Sequence, residues 1–187
     1  MNVVTSNQAA FNSRDFRNAL GRFASGVTVV TAHHEDHTHG MTANAFVSVS
    51  LEPPLVLVSL DNRSTMHRIL PSAGRFGVSV LAEDQEELSN HFAGKKVPGL
   101  EAGFTMRDGI PLLTGAVAHF IVEVADIHPA GDHTLYIGRV QYLGWREGRP
   151  LLFYGGKYQQ MRAHPLHETG EAPALFSIGG FDAKGIK

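Results

Sequence analysis

The chain has no cysteine. That removes disulfide staples, thiolate metal sites and thiol nucleophiles, and it suits a reducing compartment. Nor is there a surplus of one charge: 16 Lys and Arg stand against 18 Asp and Glu, a formal net charge of −2. A nucleic-acid partner would call for a basic field, and a membrane surface for a cluster of Lys and Arg; neither is present. No apolar stretch approaches the roughly 20 residues of a membrane span. Met1 to Ala10 lacks a basic stretch followed by an apolar run, so no secretory signal is read there. These absences lead to the expectation of a cytoplasmic protein with neither nucleic acid nor membrane as partner.

Several catalytic signatures are missing too. There is no G-x-G-x-x-G after a strand, no G-x-x-x-x-G-K-[ST], no G-x-S-x-G and no H-E-x-x-H. A Rossmann dehydrogenase, a P-loop enzyme, a common esterase and a zincin are therefore disfavoured. Any nucleotide site has to be assembled from loops and strand ends. Repeats and low-complexity blocks are absent as well.

What is present is 187 residues, 43% of them apolar, enough for one well-cored domain. Ser13 can cap a helix carrying Phe16, Leu20, Phe23 and Ala24, which Gly26 would end. Val27 to Thr31 is a β-branched run and reads as a strand. His33 to His39 forms a polar turn with four histidines. His37 and His39 would share one face of a strand, which admits a metal site, whereas a solvated hairpin tip needs no ligand at all. Gly40 to Pro54 follows, the stretch around which the rest is organised. Thr42, Ala43 and Asn44 are small and follow a glycine, so a ligand could approach the backbone and find directed hydrogen bonds. They could equally be the far side of a hairpin. Val47, Val49 and Leu51 alternate with Ser48 and Ser50 as in a strand.

Pro53 and Pro54 would interrupt pairing. Leu55 to Leu60 reads as a strand buried on both faces. Ser64 is an N-cap for a helix bearing Met66, Ile69 and Leu70. With Arg63 beside it, that helix start could hold a phosphate, or be an ordinary capped helix. Phe76 to Leu81 is the next strand. Asp84 to Glu87 has capping-box spacing, followed by Leu88, His91 and Phe92 on one helical face. Ala93 to Leu112 reads as a long loop suited to a lid. Ala116 to Ile127 and Thr134 to Leu143 are strands, with Phe120, Val122 and Val124 facing a core, and Leu151 to Tyr154 is the last. Strands outnumber helices and connections are short, which predicts a mainly β protein: an antiparallel barrel with a few capping helices. Residues 1–12 are expected to be a flexible N-terminus, 13–160 the domain, and 161–187 a tail carrying apolar Leu175, Phe176, Ile178 and Phe181.

Four blocks carry a resemblance: F-A-S-G-V-T-V-V-T (Phe23 to Thr31), G-M-T-A-N-A-F-V-S-V-S-L-E-P-P-L-V-L-V-S-L (Gly40 to Leu60), F-G-V-S-V-L-A-E-D-Q (Phe76 to Gln85) with L-S-N-H-F-A-G after it, and G-D-H-T-L-Y-I-G-R-V (Gly131 to Val140). Together they resemble the flavin reductase-like family, the short-chain reductases of two-component monooxygenases. The resemblance spans Phe16 to about Tyr158. It implies an FMN-binding split β-barrel, usually a homodimer, with FMN or FAD as flavin, NADH or NADPH as hydride donor, and a separate monooxygenase as partner. Thr42, Ala43, Asn44 and Ala45 would lie along the flavin ring and ribityl chain. Ser59, Leu60 and Asp61 would contribute from a strand end, and Arg63 and Ser64 would hold the phosphate. Ser79, Val80, Leu81 and Ala82 would border the ring's polar edge. His91 and Phe92 would close the nucleotide end, His133 would lie near the nicotinamide, and Tyr158 could cover the cleft. No metal is implied. NADH is favoured over NADPH because no arginine pair stands out for a 2′-phosphate. Rival readings are a reductase of cobalamin or ferric complexes with bound FMN, a non-catalytic flavin-binding protein, and a pure interaction protein.

Overall fold

The computed structural model describes residues 12–161. The apolar tail positions Leu175, Phe176, Ile178 and Phe181 lie outside that range. The elements are α1 (Ser13–Leu20), β1 (Ser25–Gly26), β2 (Thr28–His34), β3 (His37–Ala43), β4 (Phe46–Leu51), β5 (Pro54–Asp61), α2 (Thr65–Ala73), β6 (Arg75–Val80), α3 (Glu86–Phe92), β7 (Phe104–Arg107), β8 (Ile110–Leu113), β9 (Ala118–Ala130), β10 (His133–Trp145), β11 (Leu152–Tyr154) and β12 (Lys157–Gln159). The main sheet has the order β3-β2-β6-β9-β10-β5-β4, and every pairing in it is antiparallel. The mainly β architecture agrees with the sequence reading.

The sheet cannot be flat. β3 and β4 are its two edges, yet only Asn44 and Ala45 separate them in the chain. Seven strands laid side by side at ~4.8 Å would hold those edges about 29 Å apart. Three Cα steps, from Ala43 to Phe46, reach no more than about 11 Å. The sheet must therefore curl until its edges meet, which gives a barrel split along β3 and β4. Two bonds mark the seam: Thr28 Oγ1 donates to Ala43 O (2.7 Å), and Ser59 N donates to Ala45 O (3.1 Å).

Several local expectations are corrected. Asn12, not Ser13, caps α1, accepting from the N–H groups of Arg14 and Asp15. The helix stops at Leu20 with Gly21 as its C-cap, well before Gly26, so Phe23 and Ala24 fall outside it. The histidine-rich turn contracts to Glu35-Asp36, both at positive φ, and its four histidines sit on the paired strands β2 and β3. Pro53 and Pro54 do not interrupt pairing. β4 and β5 form a hairpin in which Leu51 opposes Pro54, the first residue of its strand, where a missing N–H is tolerated. Asp84 makes no capping box; the N-cap of α3 is Gln85, whose side chain accepts from Ala82 N (3.0 Å) and donates to Thr114 O (2.9 Å). The supposed lid loop contains the β7–β8 hairpin, turned at Asp108-Gly109. A further strand, β12, follows Gly155-Gly156 and pairs with β11.

The core fills the barrel from β2, β5, β6, β9 and β10, with Val30, Val58, Leu60, Phe76, Val78, Val122 and Tyr136 buried. β5 is fully buried on one face only, through Val56, Val58 and Leu60, not on both. The apolar face of β4 points out of the barrel: Val47 is 54% exposed, Val49 47% and Leu51 81%. β10 outruns its neighbour. His133 to Arg139 pair with β5, but beyond Arg139 the strand is paired with β9 alone, leaving Leu143 and Trp145 exposed.

Tyr136 ties α2 to the sheet. Pro71 lies inside α2 and has no N–H for the carbonyl of His67. The buried Tyr136 hydroxyl supplies the donor, at 3.1 Å from His67 O, and accepts from His67 Nδ1–H at 2.8 Å. One hydroxyl hydrogen cannot serve both partners, and a carbonyl only accepts, so His67 carries its hydrogen on Nδ1. Burial pushes the Tyr136 hydroxyl pKa up, which keeps it a donor. Tyr136→Phe is expected to cost about 1–3 kcal/mol in denaturant unfolding, since it strands two polar groups. In that background Pro71→Ala should restore part of the loss by returning an N–H to His67 O. Two additive losses would show that the hydroxyl does not serve the proline gap.

Candidate functional site

The seam between β3 and β4 is where the clefts open. Three adjoin there. One of about 580 Å³ lies between the segment Leu20–Gly26 and the residues Thr28, Ala45, Phe46, Val47 and Val80. One of about 210 Å³ is lined by Val27, Thr42, Ser89, Ala93, Phe153 and Tyr158. The third, about 430 Å³, runs along the end of α1. Asn44 lines all three, and its side-chain amide makes no hydrogen bond among the described residues. It therefore offers both a donor and an acceptor at the point where the clefts meet.

The small cleft is braced by a short relay. Thr42 Oγ1 donates to Ser89 O (2.7 Å), and Ser89 Oγ bonds Tyr158 OH (2.8 Å). Tyr158 packs edge-on to Phe153, with ring centroids 5.5 Å apart. Gly40 is required here, because a Cβ would come within 2.6 Å of the Phe92 ring. Phe92 and His91 stand behind the relay and line none of the three clefts; His91 Nδ1 is buried without a hydrogen-bond partner among the described residues.

A second group gathers at the paired ends of β5 and β10, where Asp61 opposes His133. Asp61 Oδ1 accepts from Arg63 N (2.8 Å) and Nε (3.1 Å), and Oδ2 from Nη2 (2.7 Å). These bonds hold the Asp61 carboxyl far below the usual carboxylate range and raise the Arg63 guanidinium above its own. His133 Nδ1–H donates to Asp132 Oδ1 (2.7 Å), which lowers the Asp132 carboxyl and leaves His133 Nε2 as the free ring nitrogen. Asn62 fixes the turn: its Oδ1 accepts from Thr134 Oγ1 (2.7 Å) and its Nδ2 donates to Gly131 O (3.3 Å). Ser64 caps α2 by accepting from His67 N (3.1 Å), as its sequence position indicates.

Apart from His91 and Phe92 behind the relay, the sequence-chosen residues fall into three sets. Thr42, Asn44, Ala45, Val80 and Tyr158 line the clefts, and Ala43 is buried just beneath. Ser59, Asp61, Arg63, Ser64 and His133 form the second group, joined to the first through the Ser59–Ala45 bond. Leu60, Ser79, Leu81 and Ala82 are buried; Leu60 belongs to the core, and Ser79 Oγ accepts from Leu113 N (3.0 Å), so that hydroxyl has an internal partner. Three residues were missed. Ser89 stands in the L-S-N-H-F-A-G block beside the chosen histidine, Asp132 precedes His133, and Phe153 lies on the last strand recognised. The histidines of the β2–β3 hairpin do not converge; among the described residues no three His, Asp or Glu side chains could hold a metal ion together.

The structure is thus a split antiparallel barrel with an open seam, a hydroxyl relay at one side of it and paired polar groups at the other. The chain belongs to the flavin reductase-like family: residues 20–162 match the flavin reductase like domain. An NADH-dependent flavin reductase of Rhodococcus sp is 52% identical over 148 residues, covering 78% of this chain and 84% of that protein. The reductase subunit HsaB of a flavin-dependent monooxygenase from Mycobacterium tuberculosis is 39% identical, covering 89% and 94%. The solved structure of flavin reductase PheA2 in its native state superposes with a TM-score of 0.80 at 42% identity, covering 82% of this chain and all of that one.

The open amide of Asn44, the hydroxyls of Thr42 and Tyr158 and the apolar walls suit a flat heteroaromatic ring with a polar edge. Asn44→Leu is expected to weaken FMN or FAD binding about tenfold, the loss of one or two hydrogen bonds. Fluorescence titration measures it, and unchanged affinity would remove Asn44 from the site.

Proposed function

We propose that the chain is an NADH-dependent flavin reductase, which reduces FMN or FAD and passes the reduced flavin to a separate monooxygenase. The observation that carries this reading is the position of Asn44, without a side-chain partner among the described residues at the junction of three clefts along the barrel seam. Family membership supports the activity, and the relative HsaB, the reductase subunit of a flavin-dependent monooxygenase, supports an oxygenase partner.

The chemistry asks little of side chains. With both ligands bound, hydride passes from the nicotinamide C4 to the flavin N5. The protein's part is to hold the rings face to face and to supply donors for the charge that builds on the flavin. Asn44 is assigned as the side-chain donor at the ring edge, Thr42, whose hydrogen goes to Ser89 O, as an acceptor beside it, and Tyr158 to closing the small cleft. Arg63 and Ser64 are assigned to the phosphate. Arg63 is already held in a two-pronged pair by Asp61, so a phosphate has to share or displace that carboxylate. His133 is oriented by Asp132 with Nε2 free, and we assign it to the nicotinamide side. Backbone groups of Ala43, Ala45 and Ser59 complete the seam. The buried Ser79, Leu81 and Ala82 support Val80 from beneath, and His91 with Phe92 supports the Thr42–Ser89 relay.

No helix among the described residues is long and apolar enough to cross a membrane. We assign the protein to the cytoplasm and to a homodimer. The exposed apolar face of β4, through Val47, Val49 and Leu51, is the kind of edge that a second copy would cover.

NADH oxidation under air, with and without added FMN or FAD, tests the reading. Oxidation that requires added flavin and saturates with it is the expected outcome. Oxidation without added flavin would make the flavin a bound group with another acceptor, such as cobalamin or a ferric complex. No oxidation with either flavin would leave a binding protein. Within the active enzyme, His133→Ala should raise KM for NADH more than it weakens flavin binding, and an unaltered KM would take His133 out of the site.

A further inference from the structure

The third cleft, of about 430 Å³, lies between the end of α1 and the Gly155-Gly156 turn, with Arg17, Asn18, Arg22 and Asn44 on its walls. Its size falls within the range of small-ligand sites. Arg17 and Arg22 both line it, and no acidic residue does. Neither arginine forms an ion pair or a side-chain hydrogen bond among the described residues. The contrast with Arg63 is sharp, since that guanidinium is already neutralised by Asp61. Arg17 lies in the last turn of α1, where it offsets the negative helix end, so Arg22 just beyond remains as positive charge in excess of what the helix needs. The walls are fixed in place: Gly155 N donates to Gly21 O (2.8 Å), which fastens the β11–β12 turn to the helix end. This arginine pair is invisible in the sequence as a pair, because the two residues belong to different turns and only the C-cap brings them to one cleft.

We propose that this cleft is a subsite for the ADP half of a dinucleotide, with Arg17 and Arg22 receiving its pyrophosphate. Its continuity with the flavin clefts through Asn44 places it within one ligand's reach of them. ADP is common to FAD and NADH, and the mononucleotides FMN and reduced nicotinamide mononucleotide lack it. The proposal rests on the reductase reading in naming those two dinucleotides; affinity for ADP itself does not depend on turnover.

The test is the double variant R17Q/R22Q, whose two positions are exposed and unpaired, so the fold is retained. ADP is titrated by calorimetry into wild-type and variant protein at low ionic strength, with adenosine as the control. Wild-type protein should bind ADP, and the variant about tenfold more weakly or worse, while adenosine distinguishes the two little. Absence of ADP binding to the wild type, or equal affinity in both, overturns the proposal. Kinetics then separate the sources. A higher KM for FAD with KM for FMN unchanged assigns the cleft to the flavin's ADP. A higher KM for NADH with either flavin, and none for reduced nicotinamide mononucleotide, assigns it to the donor's ADP. Equal rises for mononucleotides and dinucleotides overturn the proposal, as does an ADP effect with no change in KM for FAD or NADH. A protein that binds ADP through these arginines yet oxidises no NADH would reject the reductase reading and leave the cleft standing.

Discussion

A two-residue connection governs this molecule. Asn44 and Ala45 join strands at opposite edges of a seven-stranded sheet, and nothing that short can do so unless the sheet rolls up. The roll creates the interior that Phe76, Tyr136 and Val122 fill. It also leaves a seam, because β3 and β4 meet end to end instead of pairing side by side. Backbone groups and small side chains at that seam have no strand across from them, so they are open to a ligand. The same constraint that closes the barrel therefore opens the clefts along it. The small size of Thr42, Ala43, Asn44 and Ala45 follows from position: bulkier residues would fill the seam they border.

Charge is distributed along the seam by two different rules. At the ends of β5 and β10, every charged group has a polar partner: Asp61 pairs with Arg63, and Asp132 accepts from His133. That end is ordered and its one arginine is already paired with a carboxylate, which suits orientation of groups more than attraction of an anion. At the end of α1 the arginines stand without carboxylates. Under the proposed reading, long-range attraction of a phosphate-bearing ligand would arise at one end, and fine placement at the other. A ligand drawn in by the arginines would be turned by the paired groups, with Asn44 between them.

Legibility in the sequence followed the range of the interactions involved. β2, β5, β6, β9 and β10 were readable because their apolar runs and alternation are local properties. Ser64 was readable as a cap for the same reason. The β7–β8 hairpin was overlooked although Asp108-Gly109 is a strong turn signal; the Gly and Pro content around it masked two four-residue strands. The Pro53-Pro54 pair misled because only the first is in the turn and the second is the first residue of β5, opposite Leu51, where a missing N–H is tolerated. Val47, Val49 and Leu51 have the period of a strand, but period alone does not say which side is core. Among the candidate site residues, Asn44 and Thr42 were legible through the family motifs, and Tyr158 only through the overall resemblance that ends near it. Ser89, and the pairing of Arg63 with Asp61, were not, since they depend on contacts that spacing does not record. Gln85 replaced Asp84 as cap because its side chain reaches both Ala82 and Thr114, a tertiary preference that overrides a local one.

The overhang of β10 has a practical side. Trp145 is the chain's only tryptophan, it is 72% exposed, and it lies at the opposite end of β10 from His133. The strand is 13 residues long from one to the other, a span of up to about 40 Å if it ran straight. Intrinsic tryptophan emission from this protein therefore reports solvent at a strand tip in the folded and unfolded states alike. It is a poor witness of global unfolding, which is better followed by backbone dichroism or by the burial of Tyr136. For the same reason it is a clean optical label for whatever settles on that tip, undisturbed by the packing of the barrel interior.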